Sequence, residues 1–330
     1  FNILLKGGTI WTSRSAKMLE QFFKLKEHGT DVKTEILAGA TTFITMAYII
    51  FVNPSILAAA GMDQAAVTTA TILSAAITTI LMGLFVNYPF ALASGMGLNA
   101  FFAFVVAAKA GWQVALGAVF ISGIIFILLS IFKIVDYIDI SVPVSLKKAV
   151  AAGIGLFIAF IGLKNAGIIA SNDATLLGLG ALSKPDAQLA LIGIGITAIL
   201  MSLKVKGSIL IGILLTTIVG IPMGITKWNG IFGMPHSLSP ILFKMDLAGA
   251  LKLGFFTIFS FLFVDVFDTL GTLMGTGAKA NFLDKDGRLP KIKDAMLVDA
   301  VGTCLGAALG TSTVTTYVES SAGIAEGGRT

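Results

Sequence analysis

Charge is what this sequence has least of. Only 12% of its 330 residues are Asp, Glu, Lys or Arg, about half the share usual in a soluble domain. So few water-compatible groups cannot cover a globular surface. Hydrophobic residues reach 56% and mean hydropathy is +0.92, which makes the chain an integral membrane protein in contact with the lipid bilayer. The single cysteine, Cys304, allows no internal disulfide and no cysteine-rich metal site. Two histidines, His28 and His236, lie too far apart for a metal motif such as HExxH. No short apolar core with a small-residue cleavage site opens the chain, so no signal peptide is expected. A net charge of +5 would suggest nucleic acid in a soluble protein; in a membrane protein basic residues first report orientation. No nucleic acid, metal or cofactor is expected.

Long apolar runs are plentiful. A bilayer core takes about 20 apolar residues as helix, and charge-free stretches place the spans. Residues 36–62 hold the first, which should end near Asn53-Pro54. Residues 64–108 carry no charge and are too long for one span; Asn87, Tyr88 and Pro89 should divide them into a second span and a short third. Residues 113–132, 146–163, 187–203 and 207–226 give the fourth to seventh. After a polar stretch containing Trp228 and His236, residues 253–278 form the eighth and 293–309 the ninth, and a tenth begins after Gly310. Residues 1–17 lack helical periodicity and are set aside, with Met18 the more natural start. The tenth element reads as unfinished, so a fragment is expected.

With the N-terminus cytoplasmic, inner segments hold sixteen Lys and Arg residues and outer segments six, which agrees with the positive-inside rule. Lys279, Lys285, Arg288, Lys291 and Lys293 form the strongest cluster. The first span then runs outward and the eighth inward. Seven spans per unit is odd, so a second unit would lie inverted, as in transporters whose interrupted helices meet at midplane. The expected division is 1–34 cytoplasmic, 35–227 a first seven-span repeat, and 228–330 the start of a second.

Three elements carry polar residues that lipid does not tolerate without reason. The third opens with ALASGMGLNAFFAF, where Gly95 and Gly97 permit extended or left-handed backbone and helix can resume near Asn99. Close helix packing is the competing reading of those glycines. The eighth contains FLFVDVFDTLGTL. Asp265 and Asp268 share one helix face, with Thr272 a turn further on, and each acid at mid-bilayer costs about 2.5–3.5 kcal/mol. The tenth reads GTSTVTTYVESSAGIAEGG. Its β-branched run favours extended backbone, so Glu319 should stand at a helix start that mirrors Asn99.

The runs ITMAYIIFVNPSILAAAGM, ASGMGLNAFFAF, VDVFDTLGTL and GTSTVTTYVESSAGI, in that order, resemble the AzgA-like purine permeases of the nucleobase:cation symporter-2 family. The resemblance implies an all-α polytopic, seven-plus-seven inverted-repeat transporter of the uracil-permease type. Short strands would precede half-helices three and ten, and about nine and a half of fourteen spans would be present. It further implies proton-coupled purine uptake at the cytoplasmic membrane and leaves a homodimer open. By motif position Asn99, Asp265 and Glu319 would be substrate-site residues, with Asp268, Gly97 and Thr272 in coupling or supporting roles. Purine bases are flat and rich in N–H donors, which carboxylates accept. Burial disfavours a charged carboxylate, so a proton is the natural coupling ion. An anion transporter of the same architecture, related to sulfate carriers, is the alternative, and clustered acids argue against it. An intramembrane aspartyl protease would need two carboxylates sharing a proton, usually from separate helices, and a GxGD motif that the sequence lacks.

Overall fold

The computed structural model describes residues 13–132, 144–172, 175–205, 207–226, 234–285 and 287–330. Lys133, Lys206, Lys227, Trp228 and residues 1–12 therefore lie outside it. Helix α1 (Ser13–Phe23) includes residues 13–17, set aside on sequence; cut at Met18, too few turns remain upstream to show a period. Asp31 caps α2 (Val32–Met46) by accepting the Thr34 N–H at 2.9 Å. A tight turn at Ala47 and Tyr48 leads into α3 (Ile49–Ala58), where Ile50 and Phe51 bond three residues back.

The first span was expected to end at Asn53-Pro54, and it does not. Pro54 sits inside α3. Lacking an N–H and crowding the carbonyl four residues earlier, it is matched by a tightening upstream rather than a stop. Asp63 caps α4 (Gln64–Leu81) through the Ala66 N–H at 2.8 Å. A wider π-turn (Met82–Val86) ends at Asn87, whose left-handed backbone breaks the long apolar run where the sequence placed the division.

Strand β1 (Leu92–Ser94) leads into α5 (Met96–Phe101), prolonged by π-turns over Phe102–Ala107 and a last turn to Ala110. Helices α6 (Trp112–Ile131) and α7 (Val144–Asn165) follow. A hairpin of β2 (Ile169–Asn172) and β3 (Leu176–Leu179) then intervenes. It was not foreseen, because its strands lack alternating patterning and Asn172 organises the turn by accepting the Thr175 N–H at 3.1 Å. The next helices are α8 (Pro185–Ser202) and α9 (Ser208–Gly220). The short α10 (Leu247–Lys252) stands before Gly254, and the eighth span follows as the continuous α11 (Phe255–Lys279). Then come α12 (Ile292–Leu309), β4 (Val314–Thr316) and α13 (Ser320–Ala325).

Five helical stretches among the described residues are long and apolar enough to cross a membrane: Val32–Ala58, Gln64–Val86, Trp112–Ile131, Pro185–Ser202 and Phe255–Lys279. Large apolar side chains point outward from them, among them Phe43, Ile80, Met201 and Phe256, as a lipid-facing surface requires. The interior is built where α6 lies along α12. A Cβ at Gly123 would stand 2.7 Å from Cys304 Sγ, so that crossing depends on a glycine. Phe101 of α5 meets Phe261 of α11 edge-on, with ring centroids 5.0 Å apart. This contact carries the two interrupted elements into one core.

Candidate functional site

Two extended stretches meet inside the molecule. β1 runs antiparallel to β4, with Leu92 opposite Thr316 and Ser94 opposite Val314. The pairing continues past both strands: the Gly95 N–H donates to the Thr313 carbonyl at 3.0 Å, and the Tyr317 N–H to the Ala91 carbonyl at 2.9 Å. Extended backbone within a membrane must find its partners in protein, and here each arm serves the other. Gly95 makes the approach possible, since a Cβ there would lie 2.9 Å from Thr315 Cγ2 and 3.3 Å from Thr313 Oγ1. Helix resumes at Met96 rather than near Asn99, with the Asn99 N–H bonded to the Gly95 carbonyl at 2.9 Å. Glu319 stands at the N-cap of α13, as the sequence suggested.

Neighbouring helices hold the arms by side chains. On α4 the Thr79 hydroxyl accepts the Leu92 N–H at 3.0 Å and donates to the Leu92 carbonyl at 3.2 Å. The Tyr317 hydroxyl donates to the Ser94 carbonyl. On α12, Asp299 is fully buried. Its Oδ1 accepts from the Thr316 N–H at 2.8 Å and the Thr316 hydroxyl at 3.1 Å, and its Oδ2 accepts from the Thr269 hydroxyl at 2.8 Å. Thr269 lies 2.9 Å from Thr315 Oγ1; with its own proton committed to Asp299, it accepts from Thr315.

Asp265 is buried, and its Oδ2 accepts from the Thr303 hydroxyl at 2.9 Å while Oδ1 has no partner. Asp268 is half-buried one turn on, within electrostatic reach of Glu319. Glu319 Oε1 accepts from the Tyr48 hydroxyl at 2.7 Å. Asp265 in turn feels both Asp299 and Asp268. Among the described residues, no Lys or Arg forms a salt bridge with any of these four acids. Carboxyl groups so placed call for donors, whether protons or N–H groups of a ligand.

Asp268 is thus within electrostatic reach of both Asp265 and Glu319. Asn99 lies in an adjoining network of amides and hydroxyls, where its Nδ2 donates to Asn53 Oδ1. Gly97 occupies the first turn of α5, half-buried. Thr272 is half-buried beyond Asp268 and gives its carbonyl to the Thr276 hydroxyl at 2.6 Å; it is Thr269 that joins the acid network. The sequence reading missed Asp299 and Asn53. Asp299 carries the same signal as Asp265, an acid within an apolar helix (AMLVDAVGTCLGAAL). An apolar cleft of about 440 Å³ beside α2 and α4, lined by Thr42, Met46, Ala75 and Phe90, contains none of the four acids.

Residues 33–330 match the Permease family. The chain is 48% identical to the adenine permease AdeP of Escherichia coli (strain K12), over 95% of this chain and 71% of that protein. It is 42% identical to the guanine/hypoxanthine permease PbuO of Bacillus subtilis (strain 168), over 93% and 73% respectively. The transmembrane domain of a cyanobacterium bicarbonate transporter, BicA, superposes with a TM-score of 0.65 at 19% identity, over 91% of this chain and 78% of that one. That likeness is one of fold, an inverted-repeat transporter architecture.

Proposed function

The chain belongs to the Permease family, in its nucleobase:cation symporter-2 branch, and from that premise we propose that it is a secondary active transporter importing purine nucleobases across the cytoplasmic membrane by proton symport. It is no enzyme. The observation that carries the reading is the buried, unpartnered Oδ1 of Asp265 one turn from Asp268, itself within electrostatic reach of Glu319, with no cation in salt-bridge contact among the described residues. A purine supplies the ring N–H and amino donors that such acceptors need. A proton taken up with it would relieve the remaining charge. Asn99, Asp265 and Glu319 contact the base in this reading, and Asp268 serves coupling. In this reading the full architecture is fourteen spans in two inverted repeats with the N-terminus cytoplasmic, and residues 35–330 supply the first repeat and the start of the second.

The likeness to a bicarbonate transporter concerns fold alone, and four neighbouring acids disfavour an anion. The test is uptake of radiolabelled hypoxanthine, guanine and adenine in a host lacking its own purine uptake, with uracil and sulfate as controls. Purine uptake abolished by a protonophore is expected. Uptake of sulfate but no purine would overturn the reading, and purine uptake that follows sodium would overturn its coupling ion.

A further inference from the structure

The hydroxyl of Thr71 on α4 donates to the Val67 carbonyl at 2.7 Å. A hydroxyl has one proton, so toward its other neighbour, Asn53, Thr71 can only accept. Asn53 Nδ2 lies 2.7 Å from Thr71 Oγ1 and 2.8 Å from Thr311 Oγ1. Both amide hydrogens of Asn53 are therefore spent, and its oxygen must face the other way. There it meets Asn99, which has to present its NH2 group. The Asn99 oxygen is left over: it is buried and has no partner. Asn53, Thr71, Asn99 and Thr311 are all fully buried, so bulk water does not scramble the order.

We propose that Asn53 is a positioning residue for substrate recognition, fixing the Asn99 amide so that Asn99 meets the base as a hydrogen-bond acceptor. The inference rests on the purine-permease reading and extends it to specificity. A site whose free end is an oxygen takes an N–H or NH2 of the base and turns away a base that offers a carbonyl or a bare ring nitrogen there. Asn53 does this without touching the substrate. Its pairing with Thr71 and Thr311 makes one direction of the Asn99 amide the only one without an unmatched pair, since a flip would set Asn99 oxygen against Asn53 oxygen.

The experiment compares bases that differ by one donor: guanine with hypoxanthine, adenine with purine, and hypoxanthine with 9-methylhypoxanthine. Each competes for uptake of the best labelled purine in the full chain. Wild type, Asn53→Ala, Thr71→Val and Thr71→Ser are compared. In wild type at least one pair should favour the donor-bearing member. Asn53→Ala should cut that preference about tenfold, the worth of one hydrogen bond near 1.4 kcal/mol, raising KM more than it lowers the maximal rate. Thr71→Val should move it the same way by less, because Thr311 still accepts from Asn53. Thr71→Ser, which keeps the hydroxyl, should restore it.

A merely structural role would lower uptake of every base in proportion and leave the ratios fixed. Unchanged ratios in expressed Asn53→Ala overturn the proposal. Should that variant fail to reach the membrane, unchanged ratios in Thr71→Val do the same. A wild-type chain that takes up no purine instead sinks the functional reading itself, which keeps the two failures apart.

Discussion

The two crossing arms are built alike and held differently. Each is a three-residue strand leading into a short helix. Two helices before each arm stands a matching run, Phe51-Val52-Asn53 on α3 and Phe263-Val264-Asp265 on α11. In the first half that run ends in an amide bonded to Thr71; in the second it ends in an acid bonded to Thr303. Thr79 holds β1, whereas Asp299 holds β4. One arm is pinned by neutral groups whose hydrogen bonds are spent on each other, apart from the Asn99 oxygen. The other is pinned by carboxylates with capacity left over. Rigidity and chemistry are divided between two copies of one design.

The largest effect should come from removing the acidic pin. Asp299→Ala leaves the Thr316 N–H, the Thr316 hydroxyl and the Thr269 hydroxyl without their acceptor. Each unsatisfied buried group costs about 1–3 kcal/mol, against a total stability of about 5–15 kcal/mol. Little folded protein is expected by size exclusion in detergent. Asp299→Asn keeps an acceptor for Thr316, and Thr269 can turn to accept, so most stability should survive. In the neutral arm, Thr79→Val strands two groups, the Leu92 N–H and carbonyl, and should cost about 2–6 kcal/mol, less than the three groups stranded by Asp299→Ala. If thermal unfolding showed Thr79→Val to be as damaging as Asp299→Ala, the asymmetry between the arms would be wrong.

Next comes the capacity left over. Glu319→Gln and Asp265→Asn keep shape but exchange one acceptor for a donor. A charge-assisted hydrogen bond is worth about 1.5–3 kcal/mol, so purine affinity should fall roughly 10- to 150-fold. Asp268→Asn should impair transport more than binding. Binding and uptake with confirmed expression decide this. Unchanged values in both Glu319→Gln and Asp265→Asn would remove the site.

Much of this frame was legible in the sequence. Gly95 and the β-branched run before Tyr317 gave away the extended stretches, because each is a local conformational preference. Asp265 and Asp268 stood out against apolar neighbours. Asp299 carries the same signal, but it lies within the first half of a span whose start is already charged by Lys293 and Asp294, so its local contrast is weaker. Asn53 misled for a different reason. Asn-Pro is a turn signal, yet Asn53 is a buried helical residue whose partners lie 18 and 258 positions away. No local pattern encodes a polarity set by the hydroxyl of a distant threonine.

A smaller effect tests how closely the arms must approach. Gly95→Ala would press a methyl to 2.9 Å from Thr315 Cγ2, and overpacking of this kind costs about 1–3 kcal/mol. Thr315→Ser removes the offending methyl and keeps the hydroxyl that donates to Thr269. The double variant should therefore recover most of the thermal stability that Gly95→Ala loses. Additive losses would mean that the strand pair is not the contact that feels position 95.

The smallest effect separates acids that work from acids that only cap. Asp31, at the exposed start of α2, is held below the ordinary aspartate range chiefly by the Thr34 N–H it accepts. A lowered folded value means that its stabilisation is complete above the unfolded value of about 4 and is lost as pH falls through the folded one. Between about pH 5 and pH 8, then, Asp31 does not change charge. Asp31→Asn keeps an oxygen for the cap and should leave the pH profile of purine uptake over that window superimposable on wild type. Glu319→Gln, which deletes an ionisable group from the arm itself, should alter the profile's shape as well as its height. Uptake measured against pH for the two variants makes the distinction. A profile that shifted with Asp31→Asn and not with Glu319→Gln would move proton coupling away from the crossing arms altogether.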